Sequence, residues 1–155
     1  MKIYNLKDKE YFQVKIVKAT KDQIPLKKNG WEFNWKLALK KGQVYLLKTK
    51  FDSLVQGAIQ IIVDDGMLTM EIIELAPWNI GSKKKYDFVA GILIAFCCKE
   101  AFKLKSRYTG FLTFTSKTSL VEHYKLKFGA IQTIGQRMYI DPEQGRRLMK
   151  KYLKK

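Results

Sequence analysis

The sequence predicts a mixed α/β fold: an antiparallel meander, a parallel strand-helix-strand crossover, and a basic C-terminal helix. Gln43 to Lys50, Leu54 to Val63 and Leu68 to Leu75 are apolar runs of strand length, and Asp64-Asp65-Gly66 is a tight-turn signal that joins the last two antiparallel. The Leu68 strand is followed by a polar loop, an unbroken apolar run from Phe88 to Cys98, and a second alternating run from Tyr108 to Thr115. Strand, helix and strand in that order imply a parallel pair with a crossover helix. Near the end, Asp141-Pro142-Glu143 supplies an N-cap, a first-turn proline and an early acid.

Taken in order, residues 1 to 13 mix charge and aromatics without a period, so the first strand is expected at about Phe12 to Ala19. Pro25 and Lys27-Lys28-Asn29-Gly30 form a loop entering a short helix, with Trp31 and Trp35 one turn apart on one face. Such a pair reads as core, or as the wall of a pocket. Gly57 interrupts the Leu54 strand and is expected to mark a bulge. In the Leu68 strand, β-branched Thr69, Ile72 and Ile73 suit packing on both faces, and Pro77 ends it. The crossover helix, expected from about Lys85, lacks a polar stripe and should be covered on nearly all sides. Ser119 to Glu122 reads as a capping box that opens a helix at Ser119, which Gly129 should end. Ile131 to Asp141 is a last strand or bent hairpin. In the terminal helix Leu148, Met149 and Tyr152 form the apolar edge, and Arg146, Arg147, Lys150, Lys151 and Lys154 make the rest basic.

The 155 residues fit one domain that can bury a core without staples. Thirty Lys and Arg against fourteen Asp and Glu leave a formal charge of +16, which favours anionic partners or serves solubility alone. Cys97 and Cys98 are adjacent in the most apolar stretch, with no metal-ligand spacing, and read as packing residues. The N-terminus lacks a signal-peptide core and the longest apolar run is too short for a membrane span, so a soluble, cytoplasmic protein without a membrane partner is expected. No G-x-S-x-G supports a hydrolase, and no metal site is expected. Lys83, Lys84 and Lys85 feed the apolar helix directly, so side-chain charge and open backbone N–H groups converge there. That arrangement suits phosphate.

This order of elements, over about Gln43 to Asp141, resembles the GNAT superfamily of N-acetyltransferases. In that family the loop Q/R-x-x-G-x-G/A holds the CoA pyrophosphate on backbone amides, and its counterpart here is Lys85-Tyr86-Asp87-Phe88-Val89-Ala90, followed by Gly91. Phe88 stands where the family places glycine, and Asn79 to Lys84 lengthen the loop. A second mark is the aromatic helix ending His123-Tyr124-Lys125-Leu126-Lys127-Phe128-Gly129, one residue longer than usual between Tyr and Gly, with Lys117 roughly where an asparagine often sits. The resemblance implies one GNAT-like domain over 1–155, with a variable part at 1–42, the core at 43–141 and the basic helix at 142–155. It also implies acetyl-CoA as co-substrate, held by Ile73 and Leu75 at the thioester and by Lys83, Lys84, Lys85, Tyr86, Val89, Ala90, Gly91 and Lys117.

Acyl transfer to an amine needs a base, a polarised carbonyl and an acid for the departing thiolate. Glu74, between apolar Ile73 and Leu75, is the first choice of base and Glu71 its rival; a regular strand points the two to opposite faces, and either could be a rim residue paired with lysine. Tyr124 is the candidate acid, although Leu120, Tyr124 and Phe128 also recur as an ordinary core stripe. The only histidine, His123, lies on a neighbouring helix face and reads as exposed. The acceptor is an amine, RNA-linked as in a charged tRNA or otherwise anionic, and a homodimer is one allowed assembly. The alternative function is a GNAT-fold binding module without transferase activity that binds RNA or a protein.

Overall fold

In the computed structural model, which describes residues 1–154, nine strands form one mixed sheet in the order β6-β1-β2-β3-β4-β5-β7-β9-β8. The strands are β1 (Lys2–Asn5), β2 (Glu10–Lys18), β3 (Gln43–Thr49), β4 (Val55–Asp64), β5 (Met67–Leu75), β6 (Tyr86–Asp87), β7 (Leu112–Thr115), β8 (Ile131–Gln132) and β9 (Arg137–Ile140). The helices are α1 (Trp35–Lys41), α2 (Val89–Ala101), α3 (Val121–Phe128) and α4 (Pro142–Tyr152). The parallel pair is β5 with β7, Leu68 to Met70 against Leu112 to Phe114, as the strand-helix-strand order requires. The chain divides into two compact units, one of residues 1–60 and 72–93, the other of 61–71 and 94–154. Among the described residues no helix is long and apolar enough to cross a membrane.

In the first unit, a strand precedes the one expected at Phe12: β1 pairs antiparallel with β2, Lys2 opposite Gln13. Its turn is built by Asn5, whose side-chain oxygen accepts the N–H groups of Lys7 (3.0 Å) and Asp8 (2.9 Å). Tyr86 and Asp87 then pair with Asn5 and Tyr4 as β6, so α2 begins at Val89 rather than near Lys85. Helix α1 also starts later than the tryptophan spacing suggests. Asn34 caps it by accepting from Leu37 N–H (3.1 Å), which leaves Trp31 in the preceding loop. Both tryptophans are nevertheless core, packed with Ile24, Ala38, Val44, Leu46, Ala58 and Ala76. Gly57 answers to helix packing: a Cβ there would lie 2.8 Å from Leu93 and 2.9 Å from Val89, so only glycine lets α2 sit this close to β4.

In the second unit, Leu112, Phe114, Met138 and Ile140 are fully buried from β7 and β9. Strand β7 begins at Leu112 instead of Tyr108, because Tyr108 to Phe111 turn first, with Phe111 N–H bonding Tyr108 C=O (3.0 Å) and Gly110 left-handed. The capping box does not form. Ser119 lies inside a 3-10 turn over Thr118–Leu120, Leu120 takes the cap position without a side-chain bond, and Glu122 pairs with Lys125 instead (3.3 Å). Gly129 does end α3 in the left-handed conformation, and the last segment is a hairpin, β8 antiparallel to β9. Asp141 caps α4 through Gln144 N–H (2.8 Å). Cys97 and Cys98 are unpaired and buried, and burial pushes both thiols up, that of Cys98 to about 12. Neither is a thiolate at neutral pH.

Candidate functional site

The loop entering α2 is held by a buried amide network. Asn79, 2 % exposed, donates to Gln56 C=O and to Gln56 Oε1 (both 3.0 Å) and accepts Tyr86 N–H (3.1 Å). Trp78 Nε1 donates to the same Gln56 Oε1 (2.8 Å). Lys85 N–H bonds Trp78 C=O (2.8 Å), and Leu6 N–H bonds Lys85 C=O (3.0 Å). Every link is polar and fixed at both ends, which makes the loop rigid rather than adaptable.

Phe88 follows at φ 77, in the left-handed region that costs a β-carbon residue about 1–2 kcal/mol. It is half-buried, and its ring stacks on Tyr11 with centroids 6.4 Å apart and planes 5° from parallel. Its N–H donates to Asp87 Oδ1 (2.9 Å), and its C=O accepts the first i→i−4 bond of α2, from Ile92 N–H (3.0 Å). The amides of Val89, Ala90 and Gly91 therefore lie ahead of the helical ladder. Phe88 precedes α2, and its ring is engaged with exposed Tyr11 rather than with fully buried Ile92 one turn on.

The lysines are not equivalent. Lys84 is tied to Asp87 at 3.0 Å, Lys85 lies 5.4 Å from the Tyr86 ring centroid, and Lys83 is exposed. All three line a concavity of about 370 Å³ that Asn5, Lys7 and Asp8 complete. The sequence reading missed Lys7, since nothing local announces that β1 returns to β6. Tyr86 is 2 % exposed, and burial pushes its phenol up, partly offset by its bond with Asn5.

On β5, Glu71 is exposed, Glu74 buried, and Ile73 and Leu75 are half-buried. The parallel register with β7 ends at Met70 while β5 runs on to Leu75. Glu74 accepts three N–H groups, from Glu32 (2.6 Å), Phe33 (3.2 Å) and Trp35 Nε1 (2.8 Å). Its carboxylate clamps the loop that leads into α1, a role its apolar neighbours in sequence do not reveal.

Tyr124 on α3 packs its ring against Phe114 (4.9 Å) and Phe128 (6.0 Å), and burial pushes its phenol above the ordinary value. Among the described residues its hydroxyl has no hydrogen-bond partner, yet no buried side-chain oxygen is left unpartnered, so that hydroxyl reaches solvent. The residue is part of the aromatic stripe, with its hydroxyl at an open end. His123 is exposed, and Lys117 is exposed at the start of the 3-10 turn before α3.

No family model and no curated protein sequence matches the chain. Among solved structures, a chain from the AtaT-AtaR complex bound to DNA superimposes with a TM-score of 0.62 at 11 % identity, over 88 % of this chain and 99 % of that one. A variant of the cAMP-binding acyltransferase from Mycobacterium smegmatis gives a TM-score of 0.48 at 10 % identity; the match takes in 99 % of this chain but only 56 % of that protein. The first likeness shows the fold alone, a mixed α/β sheet with one parallel pair, and the second carries no argument.

Proposed function

We propose that this chain is an acyl-CoA-dependent N-acetyltransferase, using acetyl-CoA as co-substrate and an amine acceptor carried on an anionic molecule such as a charged tRNA. The observation that carries the reading is the loop into α2: a rigid turn with a left-handed residue where the family resemblance expects glycine, followed at once by the open amides of Val89, Ala90 and Gly91. These amides and the α2 dipole would take the pyrophosphate, with Lys83 and Lys85 adding charge, while Lys84 is already paired with Asp87. The stretch of β5 beyond its register with β7, Ile73 to Leu75, would offer backbone groups to the thioester.

In the transfer, the acceptor nitrogen attacks the thioester carbonyl, the C–N bond forms and the C–S bond breaks. The departing thiolate takes the Tyr124 proton, and solvent restores it. The acceptor's proton goes to a carboxylate, and Glu71 is the more available of the two: it is exposed and has no ion pair among the described residues, whereas Glu74 would have to release three donors. The fold neighbour was solved in a complex, so a protein partner is part of this reading.

Calorimetric titration with CoA tests it. Changing Lys83 and Lys85 together to Gln is expected to weaken CoA about tenfold or more, and Lys84→Gln much less, because Lys84 is committed to Asp87. Equal losses at all three lysines would displace the pyrophosphate from this loop. No heat with the wild-type chain would leave the binding module without transferase activity as the better account.

A further inference from the structure

A second concavity lies wholly within the unit of residues 61–71 and 94–154, on the sheet face opposite Tyr124. Thr113 pairs with Tyr139, and Thr115 with Arg137, across β7 and β9, so their side chains share one face, while Phe114 with its Tyr124 contact is on the other. With Arg107, Tyr108 and Phe111 from the turn before β7, this face encloses about 390 Å³. Phe111 and Tyr139 stand 6.1 Å apart at 46°, and the Arg107 guanidinium lies 5.5 Å from the Tyr108 ring centroid. No acid lines the cavity, and among the described residues neither Arg107 nor Arg137 has a carboxylate partner. Arg137 has only a neutral bond, Nη1 to Thr115 Oγ1 (3.2 Å). The hydroxyls of Thr113 and Thr133 donate to the carbonyls of Met138 (3.2 Å) and Arg137 (3.1 Å), so toward a ligand they present acceptor oxygens.

We propose that this cavity binds one nucleotide unit, its base against Phe111, Tyr108 and Tyr139 and its phosphate between Arg107 and Arg137. The wall is aromatic and apolar, which suits a planar ring. The rim is cationic and unpaired, which suits a phosphate that guanidinium grips in a fork. The threonine oxygens accept, which suits an N–H on the base edge. A volume near the low end of the ~300–1,000 Å³ usual for small-ligand sites holds one such unit. An aliphatic anion would leave the rings unused, and an apolar ligand would bury the guanidiniums without a partner. The inference does not depend on acyl transfer, so it stands or falls on binding alone. The same unit could come as a free mononucleotide or from single-stranded RNA, where bases stack on aromatic platforms in this way.

The test is an amide NMR titration of the full chain with 5′-AMP, inorganic phosphate, adenosine and a single-stranded hexaribonucleotide. 5′-AMP is expected to shift Phe111, Thr113 and Tyr139 and to bind about tenfold or more tighter than phosphate or adenosine alone. The Arg107→Gln, Arg137→Gln double variant should weaken it about tenfold, with the salt dependence reduced. Tyr139→Leu should weaken the base contribution and leave phosphate unaffected; Arg137→Lys keeps the charge and serves if the double variant is poorly folded. Tighter binding of the hexamer than of 5′-AMP points to RNA as the source, and equal affinities to the free nucleotide. The proposal is overturned if 5′-AMP shifts none of these amides, or if affinity is the same in all of the variants.

Discussion

Replacing Phe88 separates its backbone from its ring. The left-handed conformation costs a non-glycine residue about 1–2 kcal/mol, and glycine removes that cost. Against it stand the half-buried ring and its stack on Tyr11: about half of the ~1.5–3 kcal/mol for a fully buried side chain, plus ~0.5–1.5 kcal/mol for the aromatic pair. Phe88→Gly should therefore change stability by no more than about 1–2 kcal/mol. Phe88→Ala loses the same ring and keeps the strain, so it should be less stable than the glycine variant by about 1 kcal/mol. That ranking reverses the one of a helix interior, where alanine is the better residue. Urea unfolding of the three proteins reads the difference directly. CoA affinity should stay within about threefold in the glycine variant, because the amides of Val89, Ala90 and Gly91 already precede the helical ladder. An alanine variant as stable as the glycine one would refute the strain argument, and a glycine variant that gains CoA binding absent from the wild type would show that the ring obstructs the site.

Other outcomes follow from the same geometry. Tyr124→Phe keeps the stack on Phe114 and should lower kcat about 100-fold with little change in Tm; a turnover near wild type would return Tyr124 to the core alone. Because burial raises its phenol, the neutral form is favoured by folding: that stability is present below the ordinary value of ~10 and lost as pH rises through the folded value, and the alkaline limb of kcat should sit correspondingly high. Glu74→Gln turns an amide N–H₂ toward three N–H donors and should destabilise by about 3 kcal/mol in thermal or urea melts, whereas Glu71→Gln should leave stability unchanged and lower turnover.

Glu74 shows where the sequence stops being legible. Its neighbours Ile73 and Leu75 mark it as a desolvated acid, but its donors come from residues 39 to 42 positions earlier, and no local pattern announces them. The crossover was readable because α2 is apolar on every face from Val89 to Cys98 and flanked by strand-length runs. The end of α3 and the start of α4 were readable because Gly129 and Asp141 act within four residues of themselves. Strands β1 and β6 were not, since four and two residues give no period, and β6 forms only on β1. Ser119 illustrates the converse error: the spacing of a capping box was present, but the 3-10 turn had already used that residue.

A strained residue persists only where its surroundings over-determine it, and Phe88 is fixed on both sides. Behind it, Tyr86 and Asp87 are paired to β1 and the Tyr86 amide is held by Asn79; ahead of it, Val89 and the run Ile92 to Ala95 of α2 are buried. Asn79 is the keystone, because its three bonds join β4, the loop and β6, and it is almost fully buried. Asn79→Ala would strand Tyr86 N–H and take one donor from each Gln56 carbonyl, which keep Ala76 N–H and Trp78 Nε1, a cost of about 1–3 kcal/mol. With the loop unpinned, Phe88 can leave the left-handed region, and the α2 amides lose their fixed aim. CoA affinity should then fall about tenfold, although Asn79 offers no charge to a phosphate. Melts and CoA titrations on Asn79→Ala, with Asn79→Asp retaining the acceptor for Tyr86 N–H, check this; unchanged CoA affinity in a destabilised Asn79→Ala protein would mean that the loop's rigidity serves the fold and not the ligand.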